Sequence, residues 1–176
     1  MHSKLKGLLL SSLFLALGAV LPLFTLQLKE IGDSLLPMHL PILLCGLICG
    51  GKYGLATGLI LPFFRSVFFG MPPLYPNALW MALELATYGL VIGFLYSKKQ
   101  HSMGWLYVSL ITAMLSGRVV WGISKALLLG LKGTAFSFAA FITGGFLDAF
   151  LGILLQLILI PFIMFFVNKH YAKTGT

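Results

Sequence analysis

The stretch from Leu61 to Gly89 reads LPFFRSVFFGMPPLYPNALWMALELATYG. It holds one arginine, one glutamate, one asparagine and four prolines among residues that are otherwise almost all apolar. Charged side chains are costly in hydrocarbon and are kept there for a purpose. How Arg65 and Glu84 are accommodated therefore decides what the chain is. Across its 176 residues, 59% are hydrophobic, only 9% are charged, and the mean hydropathy is +1.01. A soluble domain of this length would need far more polar surface. A membrane β-barrel would show short alternating segments, whereas runs such as LGILLQLILIPFIMFFV (151–167) do not alternate. The fold class is an all-α integral membrane protein.

Apolar segments fall at 5–26, 38–50, 53–70, 75–96, 103–129 and 139–167, which predicts six transmembrane helices in a single domain over 1–176. The second is short and is joined to the third by GGKYG (50–54), a tight helix–helix turn. The first begins MHSKLK and resembles a signal peptide, but its apolar run is too long and no cleavage site closes it, so it is read as a span. With both ends in the cytoplasm, seven lysines (4, 6, 52, 98, 99, 169 and 173) lie inside and two (29 and 132) outside. That asymmetry sets the orientation. The outer connections are then Gln27–Pro37, Gly70–Pro76 and Gly130–Ser137. The net charge of +8 is topogenic; no basic run with interleaved aromatics points to nucleic acid. Cys45 and Cys49 share a helical face without further metal-ligating neighbours and read as packing residues.

Five ionisable residues fall within or at the edge of spans: Arg65, Glu84, Arg118, Lys125 and Asp148. All are at mid-depth or in the outer half, which describes a pocket opening outward. Helical spacing groups Asn77, Glu84 and Tyr88 on one face of span four, and Arg118, Trp121 and Lys125 on one face of span five. Gly144, Asp148, Gly152 and Gln156 recur every four residues in span six. Three cations against two anions leave a positive surplus, which suits a ligand bearing a carboxylate or phosphate. The alternatives are ion pairs that only tie helices together, or a lipid headgroup met by Lys125. The loop Met71, Pro72, Pro73, Leu74 and Tyr75 reads either as a rigid turn or as a lid over the pocket, with Gly70 as its hinge. Pro62 is expected to kink span three. Ser12 and Ala16, followed by Gly18 and Ala19, give span one a small-residue face for internal packing or for a partner. No phosphate loop, catalytic triad or zinc motif is present, so the chain reads as a non-enzyme that draws its energy from a gradient or a partner.

The strings H-x-P-x-L-L-x-G, G-x-K-Y-G and F-G-M-P-P within 38–73, followed by ALWMALELATYGLVIGFLY (78–96), resemble the substrate-binding S components of energy-coupling-factor (ECF) transporters. These are vitamin importers of bacteria and some archaea. The resemblance implies six helices with both ends inside, in the cytoplasmic membrane. It implies a vitamin bound near the outer face, and docking through helix one, here Ser12 and Ala16, on a T transmembrane subunit. Two ATPase subunits would hydrolyse the ATP, with no cofactor in this chain. Ser12 stands where the family's A-x-x-x-A motif begins with alanine. The proline-rich loop and E-L-A-T-Y-G resemble the pantothenate branch or the pyridoxine and hydroxymethylpyrimidine branch; the cationic surplus favours pantothenate. Two other readings stand beside this one. One is a proton-coupled secondary transporter of a small organic anion with Glu84 or Asp148 as carrier. The other is an intramembrane enzyme acting on lipids, with Arg65 and Arg118 on a headgroup.

Overall fold

The computed structural model describes residues 2–25, 34–99, 102–131 and 133–174. These are helical almost throughout, with no strand among them. Helix α1 (His2–Val20) runs into a tighter 3₁₀ turn, Leu21–Thr25. Then come α2 (His39–Cys49), α3 (Gly51–Phe69), α4 (Leu79–Tyr96) and α5 (Met103–Gly130). The last apolar segment is divided into α6 (Phe138–Ile142), a wide π-type turn at Thr143–Leu147, and α7 (Phe150–Thr174). Four stretches are long and apolar enough to cross a membrane: Lys4–Phe24, Leu74–Tyr96, Met103–Gly130 and Phe150–Lys169. His39–Cys49 and Phe138–Leu147 are shorter apolar helices. The outer cations Lys29 and Lys132 lie outside the described residues.

A single residue, Gly50, separates α2 from α3. Its φ of 97° lies where only glycine is at ease, which is why the chain can reverse so abruptly there. The two helices then pack on α4 through small residues. A Cβ on Gly89 would collide with the backbone of Gly54, and one on Gly58 with that of Leu85. Between helices in lipid, such close backbone approach replaces the hydrophobic effect as the source of cohesion. Pro62, expected to kink the third span, lies inside an α3 that continues as one helix to Phe69.

Contacts at the two ends fix the helix directions. Tyr53 donates to the carbonyl of Lys4, and Arg65 donates to that of Ala19, so α1 and α3 run the same way. His39 lies against Glu84, and Gly46 against Gly89, so α2 and α4 run together. The Trp105 indole donates to Leu95 and Arg118 pairs with Glu84, so α5 runs opposite to α4. Gly152 abuts the backbone of Ser34 and Leu35, while Asn168 donates to the Tyr96 hydroxyl, so α7 is parallel to α2 and α4. The result is an up-and-down bundle. One end carries exposed Lys4, Lys6, Lys52, Lys98, Lys99 and Lys169; the other carries His39, Gly70 and Gly130.

Candidate functional site

Three helices bring four polar side chains together in the half of the bundle away from the lysine-rich end. The Arg118 Nη1 of α5 donates to Oε1 of Glu84 in α4 at 2.9 Å. One helical turn along α4, the Tyr88 hydroxyl donates to the same oxygen at 3.1 Å. From the start of α2, His39 Nε2 lies 3.4 Å from that oxygen, and its ring leans on the Tyr88 ring at 5.2 Å. All four residues are buried, none more than 4% exposed. A buried ion pair keeps its charges only where further hydrogen bonds and good geometry compensate the lost hydration. Here one carboxylate oxygen gathers an arginine, a phenol and an imidazole.

The cluster is richer in donors than its own acceptor can use. Arg118 Nε and Nη2, and His39 Nδ1, are buried without a hydrogen-bond partner among the described residues. A buried polar group left unpaired costs about 1–3 kcal/mol, so such atoms mark where another acceptor belongs. One turn beyond Arg118, Trp121 lies against the guanidinium, 6.0 Å from its centroid to Arg118 Cζ. The Lys125 ammonium sits over three rings: Trp121 at 4.5 Å, Phe136 at 5.2 Å and Trp80 at 5.5 Å. Aromatic faces attract cations in such a position. The expected face of Arg118, Trp121 and Lys125 is thus formed, with Trp121 between its two cations. Glycines close this wall: a Cβ on Gly144 would press on the Trp121 ring at 3.2 Å, and one on Gly122 would run into Phe141. Beside it, on the flank of α5, Val119, Ile123, Ala126, Phe136 and Phe141 line an apolar groove of about 450 Å³.

The other sequence-predicted residues are placed differently. Arg65 is buried but turned to another helix: Nη1 donates to the carbonyl of Ala19 near the end of α1, Cζ lies 5.4 Å over the Phe69 ring, and Nε has no hydrogen-bond partner among the described residues. Asn77 is half-buried in a wide turn, Leu74–Ala78, that precedes α4, so it falls outside the regular helical face that holds Glu84 and Tyr88. Asp148 is exposed at the end of the π-type turn, not buried with the cluster. The four-residue spacing that joined Gly144, Asp148, Gly152 and Gln156 assumed one continuous helix. The π-type turn at Thr143–Leu147 shifts the register, and Ala149, Gly152 and Gln156 face the interior instead. In the loop before α4, Met71 and Pro72 are half-buried while Pro73, Leu74 and Tyr75 are exposed, and Gly70, with a φ of 71°, closes α3. On α1, Ser12 and Ala16 are exposed whereas Gly18 and Ala19 are buried, so the small residues divide between two faces. In the sequence His39 stands out only as a residue at a helix start; its ionisable ring at the head of an apolar segment was the available signal.

The fold and cluster define a multi-pass helical membrane protein with charged side chains gathered between its helices. The family model for the ECF transporter, substrate-specific component, matches residues 6–169, and the chain belongs to that family. Its members are substrate-specific subunits of transporters, not enzymes. No curated protein and no solved structure matches the chain.

Proposed function

We propose that the whole chain is one transmembrane substrate-binding domain that captures a vitamin at the outer face of the cytoplasmic membrane. It would hand the vitamin inward with a T subunit and two ATPase subunits, which hydrolyse the ATP. Pantothenate is the favoured ligand; pyridoxine and hydroxymethylpyrimidine come next. The observation that carries this reading is Arg118. One of its nitrogens holds Glu84, while Nε and Nη2 remain unpaired beside Trp121. The pair with Glu84 cancels in charge, while the unused edge of the guanidinium still presents donors. Those donors favour a carboxylate, which a guanidinium edge can grip through two parallel bonds.

Six crossings with both ends inside agree with the alternating helix directions and with the lysines gathered at one end. The loop 71–75 lies at the opposite end and is assigned as the lid. Exposed Ser12 and Ala16 leave a smooth strip on α1 on which the T subunit can seat. The proton-coupled reading draws less support, because Glu84 is committed to Arg118, Tyr88 and His39. The test is to purify the chain, identify the co-purifying small molecule by mass spectrometry, and reconstitute uptake. Binding without partners and uptake only with them is expected. Uptake by this chain alone, driven by a proton gradient, would overturn the reading.

A further inference from the structure

One buried polar group belongs to none of the contacts above. Gln156 of α7 is 1% exposed, and its Nε2 has no hydrogen-bond partner among the described residues. Two register marks place it along the bundle axis. Asn168 bonds Tyr96, and each lies twelve residues beyond Gln156 and Glu84 respectively, in helices that run the same way. Gly152, one helical turn before Gln156, meets the backbone of Leu35, which leads through the turn 36–38 into His39. With equal rise per residue in α4 and α7, the first mark sets Gln156 level with Glu84, against which His39 lies. The bundle therefore holds one polar layer made by α2, α4, α5 and α7, and His39, Arg118 and Gln156 all bring unpaired nitrogens to it.

The chemistry across this layer is uneven. Arg118 is charged and suits an acid. Gln156 is a neutral amide that both donates and accepts, and with Nε2 turned to Glu84 the His39 ring keeps Nδ1 for a further partner. We infer that Gln156 is a ligand-contacting residue which, with His39, reads a neutral hydroxyl on an acid whose carboxylate is met by Arg118. This rests on the proposed function and narrows the substrate class to acids that also carry a hydroxyl. A site that buries unpaired amide and imidazole groups rejects an analogue lacking their partner, because those groups are then left dry.

The experiment compares two acids by titration calorimetry on the detergent-solubilised full chain. One is pantothenate. The other is N-(3,3-dimethylbutanoyl)-β-alanine, which keeps the carbon skeleton, the carboxylate and the amide and lacks both hydroxyls. The unaltered protein is expected to favour pantothenate by about tenfold or more. Gln156→Met, close in shape, and Gln156→Leu should bring the two acids within about twofold of each other, mainly by weakening pantothenate. A purely structural role would weaken both acids together. If the preference persists in both variants, or is absent from the unaltered protein, the inference is overturned while the functional reading stands. If the unaltered protein binds neither acid, the choice of an acid ligand fails and this inference fails with it.

Discussion

Arg65 and Arg118 are buried to the same degree, 3% and 4% exposed, in helices of one bundle, and they do different work. Arg65 closes a gap between α3 and α1: the last carbonyls of a helix have no partner within it, and this guanidinium satisfies that of Ala19. Phe69, one turn along α3, covers its face. Arg118 pairs with a carboxylate that also gathers a phenol and an imidazole, and it still has two nitrogens to spare. Burial alone does not separate a tie from a site. Arg65 too keeps one nitrogen, Nε, buried without a partner among the described residues, so what separates the two is the company: a single backbone carbonyl and a ring for Arg65, a buried carboxylate cluster for Arg118.

The comparison breaks most sharply at Arg118. Arg118→Ala leaves the Glu84 carboxylate buried without its cation, a loss of about 3–5 kcal/mol when one partner of a buried pair is removed. The expected result is a large fall in resistance to denaturant-induced unfolding and a ligand affinity reduced by well over tenfold. The paired substitution Arg118→Leu with Glu84→Leu separates the two effects. It should recover much of the stability, since replacing a buried pair by apolar side chains is often neutral, while affinity stays lost. If affinity returns with stability, the pair is a helix tie like Arg65.

Arg65→Ala is the converse. One charge-assisted hydrogen bond and its ring contact disappear, about 1.5–3 kcal/mol of stability, and ligand affinity should stay within about twofold of the unaltered protein. An affinity loss as large as that of Arg118→Ala would return Arg65 to the site. A smaller effect is expected at Lys125. Its ammonium faces three rings at the edge of the cluster, and Lys125→Met keeps the unbranched stem while removing the charge. Affinity for a carboxylate ligand should fall about threefold to tenfold, with unfolding nearly unchanged. An unchanged affinity would make the lysine a snorkelling residue that serves the bilayer.

The sequence was legible where punctuation and period agree. His39 opens the second apolar segment, Gly50 parts it from the third, and Gly70 ends the third, so the helices begin and stop within a few residues of the expected bounds. The pairing of Tyr88 with Glu84 and the row of Arg118, Trp121 and Lys125 follow from helical spacing alone, because each set lies within one unbroken helix. What spacing could not supply was the choice of neighbour. Arg65 and Arg118 look alike in an apolar run, and only the packing of α1 against α3 gives Arg65 its carbonyl. Gln156 falls on the four-residue row of span six and His39 heads the second segment, but neither carries a fixed charge to rank it beside Glu84 and Arg118; their level emerges once α2 and α7 are set beside α4.

Asp148 shows how a break in register removes a residue from a site, and it supplies the smallest effect. FITGGFLDAF (141–150) reads as a continuous helix, and a four-residue step from Gly144 carries Asp148 inward. Gly144 and Gly145 instead let the chain press close against Trp121, and the turn widens, with the Asp148 amide donating five residues back to the Thr143 carbonyl. The widened turn rotates the start of α7, so Ala149 is buried and Asp148 is exposed. Asp148→Asn should therefore leave ligand affinity within about twofold and stability within about 0.5 kcal/mol, the range of a surface substitution. Measured beside Glu84→Gln, which removes the charge on which Arg118, Tyr88 and His39 converge, it asks which carboxylate the site depends on. A large loss at Asp148 and none at Glu84 would place the turn, and not the α4–α5 pair, at the centre of recognition.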